Sequence, residues 1–140
     1  MKRSIWLVMM ISLTTFPLAA CSGATSSSGG TLEGTVWSLV TLGQNSLIPG
    51  TTITLSFENG QVGGTSGCNS YGGSYQVSGE SLSLGDLFMT EMACLEPEGV
   101  MQQEGVYLGA LGSAQTYTLS GGSLTIILSD GGALVFELAQ

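Results

Sequence analysis

Alternation is the clearest pattern in this chain. From Thr51 to Glu58, Ile53, Leu55 and Phe57 fall on one side while Thr52, Thr54, Ser56 and Glu58 fall on the other, which is the period of a strand with one buried face. Asn59-Gly60 follows and reads as a two-residue hairpin turn. Further strands are predicted at Val36–Thr41, Tyr71–Val77, Ser81–Leu84, Thr116–Leu119, Leu124–Ser129 and Ala133–Leu138, with turns at Gly79-Glu80, Gly121-Gly122 and Asp130-Gly131. Links this short require antiparallel neighbours. Pro97–Ala114 has helical spacing instead: Val100, Met101, Glu104, Tyr107, Leu108 and Leu111 fall near one face, and Pro97 suits a first turn. Gly99, Gly105 and Gly109 each weaken that helix by about 1 kcal/mol relative to alanine, so packing and not propensity must hold it, across the open side of a curved sheet.

The first thirty residues follow a different rule. Lys2 and Arg3 form a charged start, Ile5 to Phe16 a short apolar run, and Leu18-Ala19-Ala20 a small-residue stretch directly before Cys21. L-A-A-C resembles a bacterial lipobox, which implies a signal peptide over 1–20, lipid on Cys21 and attachment to a membrane surface of the cell envelope, at the periplasmic or the extracellular face. An ordinary secretory leader is the alternative. A membrane span needs about 20 apolar residues, and Thr14, Thr15 and Pro17 interrupt this run. Residues 21–31 comprise Cys21 and SGATSSSGGT, the composition of a flexible tether. Residues 32–140 then form one domain with one modest core.

Charge narrows the function. Lys2 and Arg3 are the only basic residues, against ten Asp and Glu and no His. Removing the leader therefore moves the formal charge from -8 to -10. With no cations to replace counterions, nucleic acid and bare anionic lipid headgroups are excluded as electrostatic partners of the domain. Ser-His-Asp and Cys-His catalysis, histidine metal ligation, lysine Schiff bases and arginine clamps are excluded with them. Cys68 and Cys94 remain as an even pair in an exported chain, the usual setting for a disulfide, while a redox pair lacks both C-x-x-C spacing and a cationic neighbour.

Those cysteines lie within SGCNSYGGSY (Ser66 to Tyr75) and MTEMAC (Met89 to Cys94). The two segments resemble the signatures of the META domain, the small family that includes the HslJ-type envelope proteins. The resemblance runs from about Leu32 to Leu138. It implies a mainly β (α+β) fold, a single curved antiparallel sheet or partly closed β-barrel with one packed α-helix, and an association with envelope stress.

Carried onto the first signature, Asn69 and Tyr71 become candidates to line a ligand site; an asparagine beside glycines is otherwise a turn former bonding its own backbone. Tyr71 and Tyr75 share a face and offer either a sugar-stacking surface or cross-strand packing. Gly63, Gly64, Gly67, Gly72 and Gly73 lack the lysine of a phosphate loop and are read as permitting close backbone approach. Met89, Met92 and Met101 read as packing, and Trp37 as a core anchor. Glu91, Glu96, Glu98 and Glu104 form the one acidic cluster, open to carboxylate catalysis or weak calcium binding; a helix amino terminus explains Glu96 and Glu98 without a ligand. The expected protein is a non-enzymatic envelope lipoprotein without cofactor, metal or catalytic residues, binding an envelope protein or wall component and supporting envelope integrity. Its binding residues are expected to be Asn69, Ser70, Tyr71, Glu91, Glu96 and Glu98, where segment 63–73 meets loop 89–98. A protease-inhibitor-like interaction protein and a carboxylate-based hydrolase are the alternatives.

Overall fold

A computed structural model describes residues 31–140. The predicted leader, Cys21 and all of the tether except Thr31 lie outside the described residues. Ten strands and one helix follow in the order β1 (Thr35–Leu42), β2 (Asn45–Ser46), β3 (Thr54–Glu58), β4 (Gln61–Thr65), β5 (Ser70–Ser78), β6 (Ser81–Leu84), β7 (Phe88–Met89), α1 (Val100–Leu111), β8 (Ala114–Ser120), β9 (Ser123–Leu128) and β10 (Ala133–Leu138). The sheet runs β10-β9-β8-β6-β5-β4-β3-β1, and β10 pairs back onto β1 from Trp37↔Leu138 to Leu42↔Leu134. Eight antiparallel strands thus close a barrel, and β2 and β7 are short additions to β1 and β5. Closure is firmer than a curved sheet with an open side, and it removes the free edges that invite aggregation.

The alternating residues line the barrel. Trp37, Leu39, Leu55, Phe57, Leu124, Ile126, Leu134 and Phe136 are buried in one cluster, and eight strands leave an interior that side chains fill. Asn59 (φ 52°) and Gly60 (φ 73°) make the β3–β4 turn with positive φ at both positions, as a primed hairpin requires. The alternation does not foretell β4, because Gln61–Thr65 carries one apolar side chain, Val62, among glycines. Its geometry explains the composition: a Cβ on Gly64 would lie 2.1 Å from the Thr54 carbonyl oxygen, so only glycine lets β4 pass there. One seam is thin: β6 meets β8 through the single pair Ser81↔Thr116, extended by the Tyr117 amide donating to the Glu80 carbonyl at 2.9 Å.

The helix is shorter than its pattern and rotated on it. Gly99, in the left-handed region at φ 84°, ends the preceding turn, so Pro97 lies three residues upstream of α1 and not in its first turn. No acidic residue occupies that first turn, and Glu96 and Glu98 precede the helix. The buried face is Val100, Gln103, Glu104, Tyr107 and Leu111, while Met101 is exposed. The partners of this face are Tyr71 of β5, the β4–β5 turn and residues 48–51, so α1 covers one end of the barrel. Among the described residues no helix is long and apolar enough to cross a membrane.

Candidate functional site

Glu104 organises that end of the barrel. It is 1% exposed, and every charged residue of 31–140 is acidic, so no cation among the described residues can pair with it. A buried carboxylate without a cation must be held by neutral donors. Oε2 accepts the Ser66 hydroxyl at 2.5 Å, the Asn69 amide at 2.7 Å and, more weakly, the Cys68 amide at 3.4 Å; Oε1 accepts Asn69 Nδ2 at 2.7 Å. Ser66 Oγ also lies 2.9 Å from the Asn69 carbonyl. That carbonyl already accepts the Ser66 amide at 2.8 Å, so the single hydroxyl hydrogen belongs to the carboxylate. Burial pushes the Glu104 pKa up, but the bonds from Ser66, Asn69 and Cys68 outweigh it and leave the pKa below its ordinary value.

Asn69 carries the grip outward. Its Nδ2 donates to the Met92 carbonyl at 3.2 Å, and its Oδ1 accepts the Met92 amide and the Thr90 hydroxyl, each at 2.7 Å. One buried side chain therefore holds both backbone groups of Met92. Thr90 and Ser70 bond across the same gap, the Thr90 amide donating to the Ser70 carbonyl at 3.0 Å. β7 adds two strand pairs, Tyr71↔Met89 and Gly72↔Phe88, and a disulfide joins Cys68 to Cys94 across a Cα–Cα distance of 6.0 Å. Residues 86–98, which carry little regular structure, are thereby tied down by side chains and a covalent link.

The sequence-predicted residues divide into two groups. Asn69 and Tyr71 turn inward and are buried. The Asn69 side chain bonds distant residues, not its own turn. The Tyr71 hydroxyl donates to the Thr54 carbonyl at 2.7 Å and accepts from Tyr107 at 2.7 Å; burial raises both phenol pKa values. With Tyr71 inside, Tyr71 and Tyr75 do not form a shared stacking surface: Tyr71 meets Tyr107 edge-on, and Tyr75 meets Phe57, two strands away, edge-on at 5.0 Å. Tyr75 is pushed up to about 12, by burial first and then by its bond to Glu33. Ser70, Glu91, Glu96 and Glu98 are exposed. Glu104 does not belong with that acidic group, because it is buried.

Sequence reading misses Ser66, Thr90 and the role of Glu104. The available signal is a glutamate on the stripe 100, 104, 107, 111, where an apolar residue belongs. Gln103 is missed as well; its Oε1 accepts the Ile48 amide at 2.7 Å and its Nε2 donates to Thr51 at 2.9 Å, tying α1 to the segment before β3. Among the described residues no group of three or more Cys, Asp or Glu side chains is placed to hold a metal ion. A groove of about 510 Å³ lies elsewhere, over the β6–β8 seam, lined by Gln76, Ser81, Ser83 and Gln115 and without a titratable side chain.

A closed antiparallel barrel with one helix over its end, and two cysteine-bearing segments clamped there by a buried glutamate and asparagine, defines a class of small β-barrel domain. The sequence profile of the META domain matches residues 30–140, and the chain belongs to that family. A protein from Burkholderia xenovorans, solved by NMR, is 31% identical with a TM-score of 0.64, over 78% of this chain and 84% of that one. A second NMR structure shares the fold at 20% identity and a TM-score of 0.60, over 74% of this chain and 88% of that one. Among curated proteins none matches this chain.

Proposed function

We propose that this protein is a non-enzymatic binding module of the cell envelope, anchored by lipid on Cys21, which presents the loop 86–98 to an envelope protein or wall component and so supports envelope integrity. One observation carries the reading. A buried asparagine, a strand pair and a disulfide fix the backbone of a loop whose side chains at Phe88, Met92 and Leu95 face solvent. Fixing a loop in advance lowers the ordering cost of binding, and rigid irregular backbone on a β scaffold is where small domains place recognition. The chemistry of the hub supports a structural role and not a catalytic one. Both Glu104 oxygens are spent on internal donors, and a carboxylate acid–base pair needs two carboxyls in opposed environments within reach of one substrate.

The test is capture from an envelope extract by the parent chain and by Ser70→Arg and Glu98→Arg, two exposed positions at the junction of the two segments. Both variants should melt as the parent does and lose the partner. A partner held equally by parent and variants places the site elsewhere. Detergent-phase partitioning checks the anchor: Cys21→Ala should leave that phase, and unchanged partitioning contradicts lipidation.

A further inference from the structure

Residues 86–98 combine two properties. Phe88 is 69% exposed, Met92 55% and Leu95 87%, and Met89 is exposed beside them. Met101 of α1 extends the strip, its sulfur 3.5 Å from the Cys94 amide. Asp86, Glu91, Glu96 and Glu98, four of the ten carboxylates, are exposed in the same stretch. An exposed apolar strip with a polar rim marks an interaction site. Phe88 is also built in: a Cβ on Gly72 would lie 2.7 Å from its ring, so the bare backbone of β5 is what admits the ring against the strand.

The charge selects among occupants. A second copy brings the same carboxylates to the same face with no cation on either side, and facing like charges oppose association. An anionic bilayer is repelled by the domain, and inserting Leu95 would strip water from Glu91, Glu96 and Glu98 beside it. The strip is one loop wide, narrower than the face a folded partner buries in an interface of standard size. Resting on the binding-module reading, we infer that loop 86–98 binds a short cationic amphipathic peptide, whose apolar side chains cover Phe88, Met92 and Leu95 while its lysines or arginines meet the four carboxylates.

The experiment titrates a fluorescent peptide of alternating lysine and leucine with the full chain in a neutral detergent, detergent alone setting the baseline. A lysine–serine peptide of equal charge and, in a separate detergent-free assay, phosphatidylcholine vesicles are the comparison probes. The lysine–leucine peptide should bind at least about tenfold more tightly than the lysine–serine peptide. Phe88→Ser/Leu95→Ser should weaken it by about tenfold or more, and Leu95→Ser alone, at a side chain 87% exposed, should weaken it with an unchanged melting curve. Glu91→Gln/Glu96→Gln/Glu98→Gln should bind more weakly at low salt and approach the parent at high salt. Equal binding of the two peptides, no binding of the lysine–leucine peptide, indifference to Phe88 and Leu95, self-association through this face, or capture by vesicles that Phe88→Ser/Leu95→Ser abolishes would each overturn the inference. If Ser70→Arg and Glu98→Arg abolish capture of an envelope partner while the peptide fails to bind, the module stands and only its partner class is wrong.

Discussion

Replacing Glu104 by alanine is the sharpest perturbation of this fold. The change empties a site that receives three short hydrogen bonds, at 2.5, 2.7 and 2.7 Å, and one long one. It leaves the buried Asn69 amide without an acceptor, and it takes the charged acceptor from the Ser66 hydroxyl and from Asn69 Nδ2, which keep only the Asn69 and Met92 carbonyls. Hydrogen bonds to a charged acceptor contribute about 1.5–3 kcal/mol each, not additively, and burying the carboxylate cost several kcal/mol in the first place. The net loss should resemble that of breaking a buried charged contact by removing one partner, about 3–5 kcal/mol. For a domain of this size that lowers the melting temperature by about 15–25 degrees at pH 7.

Glu104→Gln separates charge from shape. Its amide must point a donor at the Asn69 donors on one side or the other, so we expect a loss of about 2 kcal/mol. Its acid response is the second readout. Because the folded-state pKa of Glu104 lies below its ordinary value of 4.5, the stability it contributes is complete above that pH and is lost as pH falls through the folded-state value. The parent should therefore lose more stability than Glu104→Gln on acidification below pH 4.5. Melting curves by circular dichroism from neutral to acidic pH measure both effects. A Glu104→Ala protein melting within a few degrees of the parent, or parallel acid responses in parent and Glu104→Gln, would refute the hub.

Two further substitutions probe the ties around it. Cys68→Ala opens a loop closed across a sequence separation of 26, which on chain entropy costs about 3.5 kcal/mol, so its melting temperature should fall by more than about ten degrees; a parent whose denatured thiols alkylate without reduction contradicts the bridge. Gly64→Ala forces a Cβ to 2.1 Å from the backbone oxygen of Thr54 and should cost about 2 kcal/mol or more, whereas a variant with the parent's denaturation midpoint would show that β3 and β4 can part there.

Legibility from sequence tracks how each residue is used. Strands with one buried face announce themselves, and apolar alternation marks β1, β9 and β10 almost to their ends, while for β3 it gives the right end but starts at Thr51, before the strand's first residue, Thr54. β4 is invisible because its selection is for the absence of side chains at Gly63 and Gly64, which weakens every propensity signal. The helix starts late because Gly99 adopts a left-handed φ, a conformation that spacing alone does not report. The junction of 63–73 with 89–98 is legible, since both cysteines and both signature segments lie there. Which residues face outward is not: Asn69 and Tyr71 carry signature chemistry and are spent inside, while Phe88 and Leu95, ordinary apolar residues, stand in solvent. Glu104 reads as surface charge because acidic residues usually are. Only the positions of Ser66 and Asn69, 38 and 35 residues away, make its burial tolerable.

The absence of cations links interior and surface. A domain with lysine or arginine can neutralise a buried glutamate locally, through one side chain. This one must recruit backbone amides, a serine and an asparagine, and those donors come from the β4–β5 turn that also carries Cys68. The asparagine that completes the carboxylate's shell has its other atoms on Met92 and Thr90, so the order of the exposed loop depends on the charge state beneath it. Protonating Glu104 weakens the acceptor that fixes Asn69, and with it the backbone of Met92. Hydrogen exchange at the Met92 amide should therefore accelerate in Glu104→Gln well beyond the change at β9, on the barrel wall. Equal acceleration at both places would mean that hub and loop are merely adjacent, each stabilised on its own account.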